Sequence, residues 1–296
     1  MALDPATLAL TGWWRDYPSS GNPRWPGTAS AGVSGGGSRD FHSTALPANG
    51  TALNGHATAD LNGSTHFLDA EATIDGYINA TSLSGWILIN PDTTDGVLIS
   101  TSGSSPSFRI ELSGGAAWLT LNDFDAEAEA GTVATGAYAL ITFRYDGTDL
   151  EVGVNEAPGA QGGLSTTAYS TSISPLDLDT FFGADAVGST RFDGKVAEIG
   201  ITDQLLTDTQ FGELITYCNV RYGLSLPNGH QEIVADVSPG SMTLSGASIQ
   251  AGHGRTASVS PGLMTLSGAD ITAVHTLASS GGGGSRRLGL GIGIGL

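Results

Sequence analysis

Much of the chain alternates apolar and polar residues in short runs that are separated by turn residues. Two clear runs are SFRIEL at 107–112 and LEVGVN at 150–155. Alternation with a period of two is typical of strands that bury one face. Asp146-Gly147 lies between two such runs, and this dipeptide favours a tight hairpin turn. The pattern predicts an all-β antiparallel sandwich over residues 1–230.

One segment near the end of this region has a helical pattern instead. Thr207 and Gln210 have the spacing of a capping box at a helix start. Gly223 stands where a left-handed residue commonly ends a helix. The sequence therefore predicts one short helix, whose apolar stripe comprises Phe211, Leu214, Ile215, Cys218 and Tyr222. On that stripe Cys218 is expected to be a core residue and not a catalytic thiol.

Two segments carry a resemblance to a known family. The first, NGHATADLNGSTHFL at 54–68, places Leu61, Gly63 and Phe67-Leu68 in an early strand. The second, at 191–224, has the matching positions Phe192, Gly194, Val196, Glu198, Ile199, Ile201 and Leu206. Together they resemble the concanavalin A-like, laminin-G-type jelly-roll domain, which implies a jelly-roll fold. Leu61 replaces an aromatic residue of that pattern, and Gln210 replaces an acidic one. These motifs are structural, so they imply a fold and no particular activity.

A short phrase occurs twice in residues 231–279. Residues 237–253 and 259–275 match at a spacing of 22 residues. Alternation within each unit predicts a small β-hairpin, with candidate assembly residues Met242, Leu244, Ile249, Met264, Leu266 and Ile271. A unit of this size buries too little apolar surface to offset the entropy of ordering its backbone. It should need the sandwich, copies on other chains or a foreign surface; a flexible tail is the alternative.

Residues 280–296 form a third region, in which a GGGGS linker precedes an arm. In the arm, apolar residues alternate strictly with glycine at Leu288, Leu290, Ile292, Ile294 and Leu296. Such a strand suits addition to the sheet of another subunit, and Arg286-Arg287 would pair with acidic groups there.

This organisation of sandwich, repeats and arm resembles accessory proteins of tailed-bacteriophage particles. The resemblance implies a virion structural protein, an outward-facing capsid decoration, head fibre or tail fibre component. It also implies assembly in the host cytoplasm, attachment to other virion proteins through residues 231–296, and a homo-oligomer.

The charge balance restricts the partners. The chain has 11 lysines and arginines against 29 acidic residues, a net charge of -18. Nucleic-acid binding depends on basic groups that neutralise phosphates, so we expect none. The one cysteine excludes an internal disulfide and cysteine-based zinc sites. We also expect no signal peptide and no membrane insertion, because neither apolar pattern is present.

Two kinds of ligand site have candidates. Calcium would suit loop carboxylates, and the candidates are Asp92, Asp95, Asp123, Asp125 and Asp185. Carbohydrate would suit a platform made of Trp13, Trp14 and Trp25, although these rings could instead plug one end of the sandwich. Trp86 and Trp118 lie in predicted strands, and we expect both in the core.

Common catalytic motifs for hydrolases and nucleotide enzymes are absent from the sequence. The segment DFDAEAEA at 123–130 comes nearest to a jelly-roll glucanase motif, but its spacing differs and a solvated acidic edge explains it. We therefore predict a non-enzymatic virion structural protein. The alternative is a carbohydrate-binding adhesin that recognises host surface glycans, and a glycan hydrolase is less favoured.

Overall fold

The computed structural model describes residues 4–18, 24–27, 40–42, 47–102, 105–184, 190–227, 241–245 and 263–267. The chain divides into two compact units, one formed mainly by Met1–Val234 and one formed by Ala235–Ala251 with Arg255–Leu296. The first unit contains short 3-10 helices at Pro5–Thr7, Ile74–Gly76 and Gly163–Ser165.

The described strands of the first unit form two antiparallel sheets of eight strands each. Sheet I has the order β14-β13-β12-β7-β16-β5-β4, and β1 also pairs with β16. Its strands are β1 (Gly12–Arg15), β4 (Ala48–Asn49), β5 (Ala59–Asn62), β7 (Leu83–Pro91), β12 (Ala139–Tyr145), β13 (Asp149–Val154), β14 (Thr166–Ala168) and β16 (Asp193–Thr202).

Sheet II has the order β11-β10-β9-β8-β15-β6-β3-β2. Its strands are β2 (Arg24–Trp25), β3 (Phe41–His42), β6 (Leu68–Thr73), β8 (Gly96–Thr101), β9 (Phe108–Ser113), β10 (Ala116–Leu121), β11 (Ala126–Thr132) and β15 (Asp179–Phe182). The non-consecutive neighbours in both sheets mean that the chain crosses repeatedly between them. The predicted antiparallel sandwich is confirmed.

The main core lies between the two sheets, and a second core lies on the far side of sheet I. Alternate residues of β7 show this arrangement, because Ile87 and Ile89 face sheet II while Trp86 and Leu88 belong to the second core. Sheet I is therefore buried on both faces. Gly200 allows this packing, since a Cβ there would lie 2.3 Å from atoms of the Trp86 ring.

The second core is covered by the N-terminal segment and by helix α1 (Asp208–Tyr222). The helix begins with the predicted capping box of Thr207 and Gln210, and it ends at Gly223 with φ 64°. All five residues of the predicted apolar stripe are buried. The predicted single helix is thus confirmed, and Cys218 is a buried free cysteine as expected. Among the described helices, none has the length and apolar character needed to cross a membrane.

The second unit is described at two strands, β17 (Ser241–Ser245) and β18 (Leu263–Ser267). They pair in parallel, with each residue opposite its equivalent in the other repeat. We predicted a hairpin within each repeat, but the described pairing joins the two repeats. The separation of 22 residues is long enough for a parallel connection. Outside the described residues lie the predicted assembly residues Ile249, Ile271, Leu288, Leu290, Ile292, Ile294 and Leu296.

Candidate functional site

The two faces of sheet II have different surroundings. The inner face carries apolar residues such as Ile110 and Leu119, which belong to the main core. The outer face carries mostly polar, charged and aromatic residues, although Val97, Ser100 and Thr120 on it are buried. Helix α1 lies on the opposite side of the sandwich against sheet I. We call this surface the outer face of sheet II.

Strand register aligns the residues of the outer face in two neighbouring rows. Directly paired residues of adjacent strands share a face, so each row can be followed across the sheet. One row consists of Phe181, Ser100, Arg109, Thr120 and Glu127. The other row consists of Val97, Glu111, Trp118 and Glu129. Both rows lie on extended strands, which hold their side chains in fixed relative positions.

Trp118 occupies the middle of the second row, with Glu111 on one neighbouring strand and Glu129 on the other. Its side chain is partly exposed, and its indole N–H has no hydrogen-bond partner among the described residues. We predicted Trp118 in the core, and that prediction is wrong. Its neighbours Ala117 and Leu119 take the core-facing positions of β10, so the alternation of the strand turns Trp118 outward.

Arg109 lies two residues from Glu111 on β9, and its guanidinium forms an ion pair with the Glu111 carboxylate. The exposed fractions of these side chains are 14% and 16%, so the pair is largely shielded from solvent. The same guanidinium lies 5.5 Å from the centre of the Phe124 ring. Its Nε has no partner within the described part of the chain. Arg109 therefore connects Glu111 of the neighbouring row to the ring of Phe124.

Phe124 is presented by an unusual turn between β10 and β11. The residues Asn122, Asp123 and Phe124 have φ values of 48°, 60° and 67°, which residues with a side chain rarely adopt. The Asn122 amide fixes the turn, donating to Tyr169 Oη at 2.7 Å and to the Ser172 carbonyl at 2.9 Å. Phe124 is 42% exposed. The turn therefore holds an aromatic ring in solvent beside Arg109.

A second aromatic group lies toward the other end of the first row. The rings of Phe67 and Phe181 are 6.3 Å apart, and the Arg191 guanidinium lies 5.0 Å from the Phe67 ring. Both phenylalanines are partly exposed. The outer face of sheet II thus has aromatic rings in contact with arginines near both ends.

The predicted tryptophan platform is wrong, because Trp13, Trp14 and Trp25 are all buried, with exposed fractions of 6%, 0% and 0%. Trp14 packs against Phe41 with ring centres 4.4 Å apart. Trp25 donates from its indole to the Arg15 carbonyl at 3.1 Å. These rings fill the interior, as in the alternative that the sequence left open.

Trp13 belongs to a buried hydrogen-bond centre around Glu198, which we call the Glu198 centre. The indoles of Trp13 and Trp86 donate to Glu198 Oε1 at 2.8 and 3.2 Å. The hydroxyls of Tyr222 and Tyr217 donate to Oε2 at 2.6 and 3.2 Å. Burial raises the pKa of Glu198, while these four donors act in the opposite direction. The centre joins the N-terminal segment, sheet I and helix α1.

The four described calcium candidates lie in two places, Asp92 and Asp95 between β7 and β8, and Asp123 and Asp125 between β10 and β11. Asp92 pairs with Lys195 at 3.4 Å. Asp95 accepts from the Gly114 amide at 2.9 Å, and this bond, with one from Thr94, lowers the pKa of Asp95. Asp123 and Asp125 belong to the turn that presents Phe124, and Asp185 lies outside the described residues. Within the described ranges, no three histidine, cysteine or acidic side chains are grouped so that they could hold a metal.

The acidic segment at 123–130 divides into two parts. Asp123 and Asp125 are exposed residues of the turn. Glu127 and Glu129 lie on the outer face of sheet II, opposite Thr120 and Trp118. The four carboxylates therefore do not share the single extended row that a fully extended segment would give. The sequence did not predict that Glu129 would lie directly opposite a tryptophan, Trp118.

No protein-family model matches this sequence, and no curated protein is significantly similar to it. Several solved structures are similar in fold. The binding domain of Paraclostridial Mosquitocidal Protein 1 aligns with a TM-score of 0.53 at 10% identity, covering 71% of this chain and 53% of that one. A second structure is domain 4 of AbnA, a GH43 extracellular arabinanase from Geobacillus stearothermophilus, in complex with arabinotriose. It aligns with a TM-score of 0.47 at 15% identity, covering 70% of this chain and 98% of that one.

Trypanosoma rangeli sialidase aligns with a TM-score of 0.48 at 10% identity, covering 72% of this chain. The aligned region spans about a third of the sialidase and about half of the mosquitocidal binding domain. At these identities the similarity concerns the β-sandwich fold alone.

Proposed function

We propose that the sandwich unit is a carbohydrate-binding module that takes a glycan on the outer face of sheet II. The observation that carries this proposal is Trp118, a partly exposed ring set between Glu111 and Glu129. Its indole nitrogen is buried and has no hydrogen-bond partner within the described part of the chain, so the exposed ring surface is the part available to a ligand. The similarity to solved structures supports the fold only.

The chemistry of the face matches the chemistry of a sugar. A sugar ring has apolar C–H surfaces, which pack against an aromatic face, and hydroxyl groups around its edge. Carboxylates accept strong hydrogen bonds from such hydroxyls, and Glu111 and Glu129 stand on either side of the ring. The exposed part of the Trp118 ring supplies the apolar surface, because its indole nitrogen and the Arg109 Nε are buried. A few polar groups around an aromatic surface are typical of ligand sites.

Charge favours a neutral glycan over an acidic one. The whole chain has a net charge of -18, which repels polyanions such as sulfated or uronic-acid-rich polymers. On the face itself, three carboxylates at Glu111, Glu127 and Glu129 outnumber the nearby cation Arg109. We therefore expect binding to uncharged oligosaccharides.

We propose binding without hydrolysis. Glycoside hydrolysis needs one carboxyl group that donates a proton to the leaving oxygen. Glu111 forms an ion pair with Arg109, so its carboxylate already has a cationic partner on the face. Glu129 lies on the other side of Trp118, two strands away from Glu111. Incubating the full chain with any glycan that it binds should release no reducing ends.

The proposal is tested by screening the full chain against a panel of neutral and anionic glycans, followed by titration calorimetry with each hit. Trp118→Ala should weaken binding by at least about tenfold, the equivalent of about 1.4 kcal/mol. The matched control is Val220→Ala, because Val220 is 73% exposed on helix α1, on the opposite side of the sandwich. Equal loss in both variants, or no loss in Trp118→Ala, would contradict the proposal.

A second candidate function is the virion role that the sequence predicts. The observation that favours it is the pairing of β17 with β18, since short repeats of this kind gain stability by stacking in an assembly. In this role the sandwich would display its glycan-binding face on a capsid or tail, and residues 231–296 would contact other virion proteins. Antibodies against the sandwich unit should label intact particles from the source; labelling of unassembled protein alone would argue against this role.

A further inference from the structure

The two described repeat strands pair position for position. Met242 lies opposite Met264, Thr243 opposite Thr265, Leu244 opposite Leu266 and Ser245 opposite Ser267. Only the first pair, Ser241 with Leu263, joins different residues. The sequence Met-Thr-Leu-Ser therefore pairs in parallel with a second copy of itself inside one chain.

The edges of this two-stranded sheet are open in the described part of the chain. Each strand has one neighbour there, so the backbone groups on its far side have no strand partner among the described residues. Such edges are templates for the addition of further strands. Two strands alone are marginally stable in water, and three or more are needed for independent stability. Added strands would pair the free edges and would also raise the number of strands to three or more.

We propose that the equivalent strands of a second copy of this chain add to this sheet, in parallel and in register. The step from β17 to β18 joins two nearly identical sequences. A step from β18 of one copy to β17 of the next would join the same two sequences, so it repeats a contact that the chain already makes internally. In-register stacking of identical segments pairs each backbone group with the chain above and below.

Self-association through the repeats has a consequence for the proposed function, and this one step depends on that function. Joining copies presents several sandwich units in one assembly. A surface with repeated glycans would then be bound with higher avidity than a single sandwich achieves, without any new contact to the sugar.

Cysteine cross-linking of the full chain tests the partner and the register together. Thr243→Cys and Thr265→Cys are made as separate single variants; Cys218 is the only natural cysteine, and it is buried. In the proposed stack, residue 265 of one copy lies opposite residue 243 of the next. Mild oxidation of an equal mixture should therefore give disulfide-linked dimers, since adjacent strands lie within disulfide reach.

The register control is a mixture of Thr243→Cys with Ser267→Cys. An offset of two residues separates the Cα atoms by about 8 Å, which is too far for a disulfide, so we expect about tenfold less dimer. Equal yields in the two mixtures would mean aggregation without register and would overturn the proposal. A single-chain mass in light scattering at every concentration, with no cross-linked dimer, would also overturn it.

Two further variants identify the segment responsible. The double variant Thr243→Pro with Thr265→Pro removes backbone donors from the strands and should reduce the assembly to a single chain. The double variant Thr243→Val with Thr265→Val should leave the assembly intact. A chain ending at Ser285 should keep the cross-link. Loss of the cross-link in that shortened chain would mean that the Gly/Leu arm carries the association, contrary to the proposal.

Discussion

Replacing Glu198 by leucine should destabilise the sandwich strongly, although leucine fills a similar volume. The Glu198 carboxylate accepts hydrogen bonds from Trp13, Trp86, Tyr217 and Tyr222. Three of these donors belong to buried residues: Trp13, Trp86 and Tyr222. Leaving a buried donor without its acceptor costs about 1–3 kcal/mol, so three donors give a loss of about 3–9 kcal/mol. Removing the carboxylate also removes the free-energy cost of burying a charged group, which favours the lower end of this range.

The matched control is Glu198→Gln. An indole can only donate, but a tyrosine hydroxyl can also accept. The glutamine oxygen can therefore serve Trp13 and Trp86, while its amide donates to the hydroxyls of Tyr217 and Tyr222. We expect a loss of about 1 kcal/mol for this variant, measured as the free energy of unfolding in urea.

The two variants should also differ from the wild type in their response to pH. Burial raises the pKa of Glu198 in the folded state, so the folded protein holds this proton more tightly than the unfolded chain does. Its contribution to stability is fully present below the ordinary carboxyl pKa, and it is lost as the pH rises through the raised value. Glu198→Gln should lack this dependence. A Glu198→Leu variant as stable as the wild type, or a Glu198→Gln variant as unstable as Glu198→Leu, would mean that the four hydrogen bonds to Glu198 do not stabilise the fold.

Three other predictions concern the packing of helix α1 and sheet I. Gly200→Ala should lower the free energy of unfolding by about 1–3 kcal/mol, because the new methyl group would overlap the Trp86 ring. Thr207→Ala should lower the free energy of unfolding by about 1 kcal/mol in the same urea assay, because the Thr207 hydroxyl caps the helix by accepting from the backbone N–H of Gln210 at 3.2 Å. The Cys218 thiol should react with an aromatic disulfide reagent only after unfolding, because burial raises its pKa well above the ordinary value; fast reaction of the folded chain would contradict this.

Features set by neighbouring residues were predictable from the sequence. Helix α1 is one example, because its cap, its apolar stripe and its terminal Gly223 all lie within one segment. The antiparallel sandwich is another, since alternation and turn residues are local patterns. These predictions needed no knowledge of which strands are neighbours.

Features that depend on distant pairing were not predictable. Trp118 stands between two apolar neighbours in AWLTLN, so the run alone does not show which side faces the core. The Glu198 centre combines residues from positions 13 to 222, which only the tertiary fold brings together. The repeats were likewise ambiguous, because the same alternation fits a hairpin within one unit and a parallel pair between two units.

The most direct test of the proposed glycan-binding face is to follow the tryptophan indole resonances while a neutral oligosaccharide is added. The chain has five tryptophans, and four of them are buried. The fifth, Trp118, is assigned by its disappearance in Trp118→Phe. We expect the Trp118 indole resonance to shift with saturation while the other four change little. Binding that leaves the Trp118 resonance in place, or no binding to any neutral glycan, would contradict this expectation.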